Sequence, residues 1–178
     1  MIGTHGTCGA YADSIDSEGF KPSGGWRGTG VYFWECDPDQ PHIAEMLGRL
    51  WWENRNNQNR WPEGDDECVV FSVKIPDNVT SLNMRDISQR RMFFDFAAKY
   101  QAKVGGSLAL EHKCAIFDEY LSILQRRGNC TISLVKSEDK TPFVGRIELP
   151  HLLDAHRCVT VLDRDCISDI ERLECHGI

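Results

Sequence analysis

Gly28-Thr29-Gly30-Val31-Tyr32-Phe33-Trp34-Glu35 reads as a strand entered from a loop. Val31-Tyr32-Phe33-Trp34 has the β-branched and aromatic make-up that packs on a half-buried pleated surface. The loop before it, Lys21-Pro22-Ser23-Gly24-Gly25-Trp26-Arg27-Gly28, carries the glycines and proline that supply turns. Further back, residues 2–7 read as a short strand ending in His5-Gly6-Thr7. A helix follows over about 10–18, with Ala12 and Ile15 at helical spacing and Gly19 as its stop. Phe20 is expected to pack under that turn.

Downstream, Pro38 and Pro41 break the chain, and residues 43–53 form a helix with Ile43, Met46, Leu47, Leu50 and Trp51 on one side. The polar run 54–66 reads as an exposed connection. Val69-Val70-Phe71-Ser72-Val73-Lys74-Ile75 is the clearest strand, ended by Pro76-Asp77-Asn78, and residues 80–84 add a short edge. Two helices, over about 88–103 and 108–127, are separated by Gly105-Gly106 and closed by Arg126-Arg127-Gly128. Strands return at 130–135, 143–149 and 158–162, with an edge near 166–173. No repeat or linker divides the chain, so residues 1–178 are expected to form one α+β domain, a sandwich of two small sheets with inserted helices.

At 178 residues, such a domain hides roughly 70% of its unfolded surface. Hydrophobic residues at 41% indicate an ordered globular chain. The start, Met1-Ile2-Gly3-Thr4-His5, has no basic residue and no apolar run, and no stretch approaches the ~20 apolar residues of a membrane span. The expectation is a soluble, cytoplasmic protein with no membrane partner. The eight cysteines are scattered without a Cys-x-x-Cys pair and are expected to be mostly buried small apolar residues. A net charge of -7 argues against broad electrostatic binding to nucleic acid. Arg85, Arg90, Arg91, Arg126 and Arg127 read as solvated helix ends that suit the helix dipole.

His5-Gly6-Thr7 marks a strand end by itself, and Tyr32-Phe33-Trp34 reads as core by itself. Their order and spacing resemble the ADP-ribosyltransferase fold of the His-Tyr-Glu type, the group that includes poly-ADP-ribose polymerases and diphtheria-type toxins. In that group a strand ending in His-Gly-Ser/Thr lies beside one carrying Gly-x-Tyr-Phe. The resemblance implies an ADP-ribosyltransferase-like split sandwich with NAD as co-substrate. His5 would bond the adenosine ribose, Gly6 would offer its backbone to the nicotinamide amide, Thr7 would add a hydroxyl, and Tyr32 would stack on the ring. Gly30 belongs to the same motif, and Phe33 or Trp34 would complete the apolar wall. A glycine at position 6 also suits close backbone approach by a planar ligand.

Cleaving the nicotinamide–ribose bond develops positive charge on the ribose, and a carboxylate beside it stabilises that charge. The resemblance places this carboxylate on a C-terminal strand, where Glu148 is the first choice because the polar segment 136–141, expected to be the target-recognising loop, precedes it. Glu138 ranks second and Glu119, read as mid-helix, third. Residue 146 is Arg, where protein-modifying relatives often carry Glu or Gln, which puts an arginine acceptor in doubt. No metal is expected. His156, Cys158, Cys175 and His176 match no zinc spacing, and Cys8 lacks a visible activating partner.

The implied function is mono-ADP-ribosyl transfer from NAD to a macromolecular acceptor, protein or nucleic acid, with release of nicotinamide. A domain of this kind resembles bacterial toxins of toxin–antitoxin and phage-defence systems, which would make an antitoxin protein a partner. Two alternatives remain open. One is a non-catalytic module of the same fold that binds NAD, ADP-ribose or a protein. The other is an NAD-dependent RNA 2'-phosphotransferase, which also begins with His-Gly-Thr but carries a basic N-terminal domain unlike this acidic chain.

Overall fold

Strand β1 (Ile2–Cys8) is the hub of the molecule, because its small residues let a helix lie on one face while larger ones fill the other. A computed structural model describes residues 1–104, 110–142 and 155–173. On one face of β1, the Thr4 hydroxyl donates to the Ala44 carbonyl of helix α2 (Pro41–Asn57) at 2.5 Å. A Cβ on Gly6 would sit 1.8 Å from the Gly48 carbonyl of the same helix. Two glycines thus meet where strand and helix touch. On the other face, His5 sits among Phe20 and Phe33, with ring centroids 5.2 and 5.8 Å away.

Helix α1 (Gly9–Glu18) begins directly after β1. Its first residues bring no cap of their own, and the Asp65 carboxylate accepts from the amides of Gly9 at 3.1 Å and Ala10 at 2.8 Å. Gly19 ends the helix at φ 73°, donating its N–H back to Ile15. Strand β2 (Ser23–Gly25) forms a tight hairpin with β3 (Gly28–Glu35). Strands β4 (Cys68–Lys74) and β5 (Ser81–Asn83) precede helices α3 (Ile87–Val104) and α4 (Leu110–Gly128). Strands β6 (Leu134–Lys140), β7 (Ala155–Val161) and β8 (Ser168–Leu173) complete the set.

Seven of the eight described strands form one hydrogen-bonded path, β5-β6-β7-β3-β1-β4-β8, antiparallel except for the β5–β6 pair, with β2 paired to β3 off this path. The molecule is therefore α+β, with four helices of more than one turn among the described residues. The path is uneven. β1 pairs with β4 along seven positions but with β3 at only two, Gly3 with Glu35 and Thr4 with Trp34. Residues from both sides of that junction share one core. Val69, Phe71 and Val73 of β4 join Val31 and Phe33 of β3, Val159 and Val161 of β7, and Leu134 of β6, with Ala12, Ile15 and Phe20 filling between. A second core, built from Leu82, Met84, Phe117, Tyr120, Leu121, Ile132 and Val135, seats α4 on the opposite face of β6.

Several expectations are corrected. The polar segment 136–141 is not a loop, because Lys136 to Lys140 continue β6 and pair with β7 out to Ala155. α2 runs four residues past the expected end, with Arg55 seated against the rings of Trp51 and Trp61. Residues 130–133 are not strand. Of the described cysteines, Cys8, Cys114 and Cys158 are buried while the others are partly or fully exposed. Arg85 is no solvated helix end: it pairs with Glu35, both side chains less than one-fifth exposed. Phe20 lies under its turn as expected, 3% exposed. The expected strand 143–149, and Glu148 with it, lies outside the described residues.

Candidate functional site

The two sequence motifs lie on neighbouring antiparallel strands, and the ladder between them stops just before the residues of interest. After the Thr4–Trp34 pair no backbone pairing joins β1 to β3 among the described residues. The next link is made by a side chain, His5 Nδ1 to the Tyr32 carbonyl at 2.8 Å. A carbonyl only accepts, so Nδ1 carries the proton in this bond. Burial holds the His5 pKa below its usual 6.5, opposed only in part by the bond to Tyr32. The ring is neutral at pH 7, with Nδ1–H committed to the sheet and Nε2 left as an acceptor. Its orientation is fixed by edge-on packing against Phe20 and Phe33.

Tyr32 is held as firmly from the far end. Its hydroxyl donates to the Gly28 carbonyl at 2.7 Å and accepts from the Arg27 amide at 3.0 Å. A Cβ on Gly25 would come within 2.4 Å of the hydroxyl, so the hairpin backbone lies directly on the ring. Burial pushes the phenol up to about 12, so it stays protonated throughout the useful pH range. The ring itself is half-buried.

The remaining sequence candidates serve packing in this arrangement. Gly6 and Thr7 are buried, and the open space beside Gly6 is filled by α2. Any contact to Gly6 must use its backbone edge. Gly30 is a glycine because a Cβ there would meet Thr160 Cγ2 at 2.6 Å and the Val161 carbonyl at 2.8 Å. Phe33 is 2% exposed and acts by steadying His5. Trp34 is half-buried beside Thr4 in the last rung of the ladder. Of the carboxylates, Glu138 lies on β6 opposite Arg157, and Glu119 lies mid-helix in α4, half-exposed and 3.5 Å from Arg126.

Sequence reasoning passed over two groups. Glu35 ends the aromatic strand, and its carboxylate meets the guanidinium of Arg85, which also donates to the carbonyls of Ser137 at 3.1 Å and Cys158 at 3.2 Å. Arg85 thereby clamps β3, β7 and β6 together. Below it, Cys158 lies 3.0 Å from the Ser137 hydroxyl, and burial raises its thiol to about 11, well out of the nucleophilic range. Glu35 was visible as the terminus of the motif, but nothing in the sequence pointed to Arg85, fifty residues away, as its partner.

Two surface depressions lie elsewhere, one lined by Glu67 to Val69 with Arg172 and Leu173, the other by Asn56, Asn59 and Trp61 to Asp66. The His5–Tyr32 site is a seam between strands. No described helix is long and apolar enough to cross a membrane. No family model matches the chain, and no curated protein is detectably similar to it.

Proposed function

We propose that the chain is a mono-ADP-ribosyltransferase of the His-Tyr-Glu type that moves ADP-ribose from NAD to a macromolecule, acting in the cytoplasm as a toxin or phage-defence effector. The observation that carries this reading is the seam. His-Gly-Thr and Gly-x-Tyr-Phe lie side by side, the ladder among the described residues ends at Thr4 and Trp34, and His5 bridges to Tyr32 beyond that point. Two groups of strands sharing a core across a two-rung junction also support a split sandwich.

The residues suit the ligand they would hold. A neutral imidazole with its Nδ1–H occupied offers Nε2 to a ribose hydroxyl. A partly open phenol ring, anchored at its hydroxyl, offers a face to the flat nicotinamide. Holding both ends rigidly places the scissile bond without further ordering. The carboxylate that would stabilise the developing cation is Glu148, with Glu138 and Glu119 as alternatives.

A binding-only module remains the second reading, because the carboxylates of Glu35 and Glu119 are already committed to arginines. Incubating the protein with NAD labelled on the adenine side and a cell extract separates the two. Label in one macromolecular fraction, lost in Glu148→Gln and in His5→Ala, identifies a transferase and its acceptor class. Binding of NAD with neither label transfer nor nicotinamide release leaves the module.

A further inference from the structure

Trp26 and Arg27 form the tip of the β2–β3 hairpin, and that tip is gripped from three sides. The Tyr32 hydroxyl bonds the backbone at Arg27 and at Gly28, where the turn enters β3. Asp118 of α4 takes the amide and hydroxyl of Thr29 at 2.7 and 2.8 Å. Gly24 rests on Cys114, whose sulfur would lie 3.2 Å from a Cβ at that position. Gly28 allows the turn at φ 85°. A turn held this way presents its side chains from a fixed position.

Arg27 is poorly matched inside the protein. Its guanidinium reaches the Trp26 carbonyl at 3.4 Å and the Glu138 carbonyl at 3.5 Å, both at the outer limit of hydrogen bonding. Its Nε is buried without a hydrogen-bond partner. No carboxylate pairs with it among the described residues, whereas Arg49 and Arg85 each have one and Arg172 has two. The charge is felt at the Tyr32 hydroxyl and the Cys158 thiol. A second cation, the Lys113 ammonium, stands 4.0 Å from the ring centre of the exposed Trp26. In a chain with 27 acidic and 20 basic residues, this rigid tip carries Arg27 at the anchored end of Tyr32 and Lys113 over Trp26.

We infer that Arg27, assisted by Lys113, binds a phosphate of the dinucleotide. The fork of N–H groups matches phosphate oxygens, and an anion there satisfies the donors the protein leaves weakly used. This rests on the NAD reading of the His5–Tyr32 seam, but the tip's preference for phosphate is a separate property and can be measured separately.

Calorimetric titration of the whole chain with NAD, ADP-ribose, inorganic pyrophosphate and nicotinamide riboside provides the test, using Arg27→Gln and Arg27→Lys beside the unaltered protein. The expected result is an affinity for NAD, ADP-ribose and pyrophosphate about 10- to 100-fold weaker in Arg27→Gln. Arg27→Lys should fall between, and nicotinamide riboside, which has no phosphate for the tip to hold, should bind all three equally. Equal losses for nicotinamide riboside would mean that Arg27 only supports Tyr32, overturning the inference. Unchanged NAD binding in Arg27→Gln would overturn it while leaving the NAD reading intact. Arg27-dependent binding of pyrophosphate without any binding of NAD would sink the NAD reading but keep the anion receptor. No pyrophosphate binding by the unaltered protein would overturn the receptor itself.

Discussion

β1 has two edges, and they are built differently. Toward β4 it pairs at every residue from Ile2 to Cys8, and its end is tied down by Asp65, which caps α1 from the chain entering β4. Toward β3 it pairs at Gly3 and Thr4 and then, among the described residues, through the His5 ring. A strand with a full ladder on one side and a side-chain bridge on the other is a firm wall beside a seam. Binding residues held by rigid scaffolds are commonly placed at such discontinuities, where backbone and side-chain groups face a ligand in place of a neighbouring strand. The residues of β1 therefore build both the framework and the candidate site.

The comparison breaks most severely at Gly6. Gly6→Ala puts a methyl 1.8 Å from the Gly48 carbonyl, which is backbone and cannot swing aside. The expected cost is about 3 kcal/mol or more by denaturant unfolding, with α2 lifted from β1. Gly48→Ala is the matched control: its Cβ meets Val70 Cγ1 at 3.1 Å, and the alanine returns up to about 1 kcal/mol of helix propensity. It should stay within about 1 kcal/mol of the parent. Equal damage from both would show that the contact is not set by Gly6.

Next in size is the clamp that holds the β3 side together. Arg85→Met leaves the Glu35 carboxylate without its partner and frees two strand carbonyls, at an expected cost of about 2 to 3 kcal/mol. Glu35→Gln with Arg85→Met should recover part of that loss, because no buried charge remains. A double variant no better than Arg85→Met would assign the clamp to the carbonyl bonds alone. On the β4 side, Asp65→Ala removes the cap of α1, worth ~1 kcal/mol. That loss should shrink on acidification, since bonds from the Ala10 and Gly9 amides hold the Asp65 carboxyl below its usual 3.8. The cap is therefore present above that range and lost as pH falls through the lowered value.

How much of this was legible follows the apolar pattern. β1, β3, β4 and the two long helices α3 and α4 were readable because their residues repeat at the periods of strands and helices. β6 was misread because Lys136, Glu138, Asp139 and Lys140 are polar, while the buried Leu134, Val135 and Ser137 span too short a stretch to signal its full length. Pairing with β7, a tertiary fact, makes that segment a strand. The end of α2 was hidden for a similar reason: Asn54 to Asn57 carry no apolar residue, and the helix is prolonged by Arg55 against two tryptophans. In the site, adjacency of the motifs was expected from the resemblance. The reason for Gly6 was not, since it depends on Gly48, and no sequence signal links residues 6 and 48.

The smallest effect expected is also the most specific to the seam. His5 is neutral in the folded chain because burial lowers its pKa, whereas in the unfolded chain it titrates near 6.5. Below that value the unfolded state binds a proton that the folded state resists, so stability falls as pH drops through 6.5 and levels off once the folded ring also protonates. The sign is opposite to that of a histidine stabilised by a carboxylate. His5→Leu removes this dependence along with the bridge to Tyr32. Comparing denaturant midpoints at pH 7.5 and 5.5, the parent should lose more stability than His5→Leu, and the other histidines, shared by both proteins, cancel in the difference. Equal losses would mean that water reaches the ring in the folded state, and the seam would then be open along β3 rather than bridged by His5.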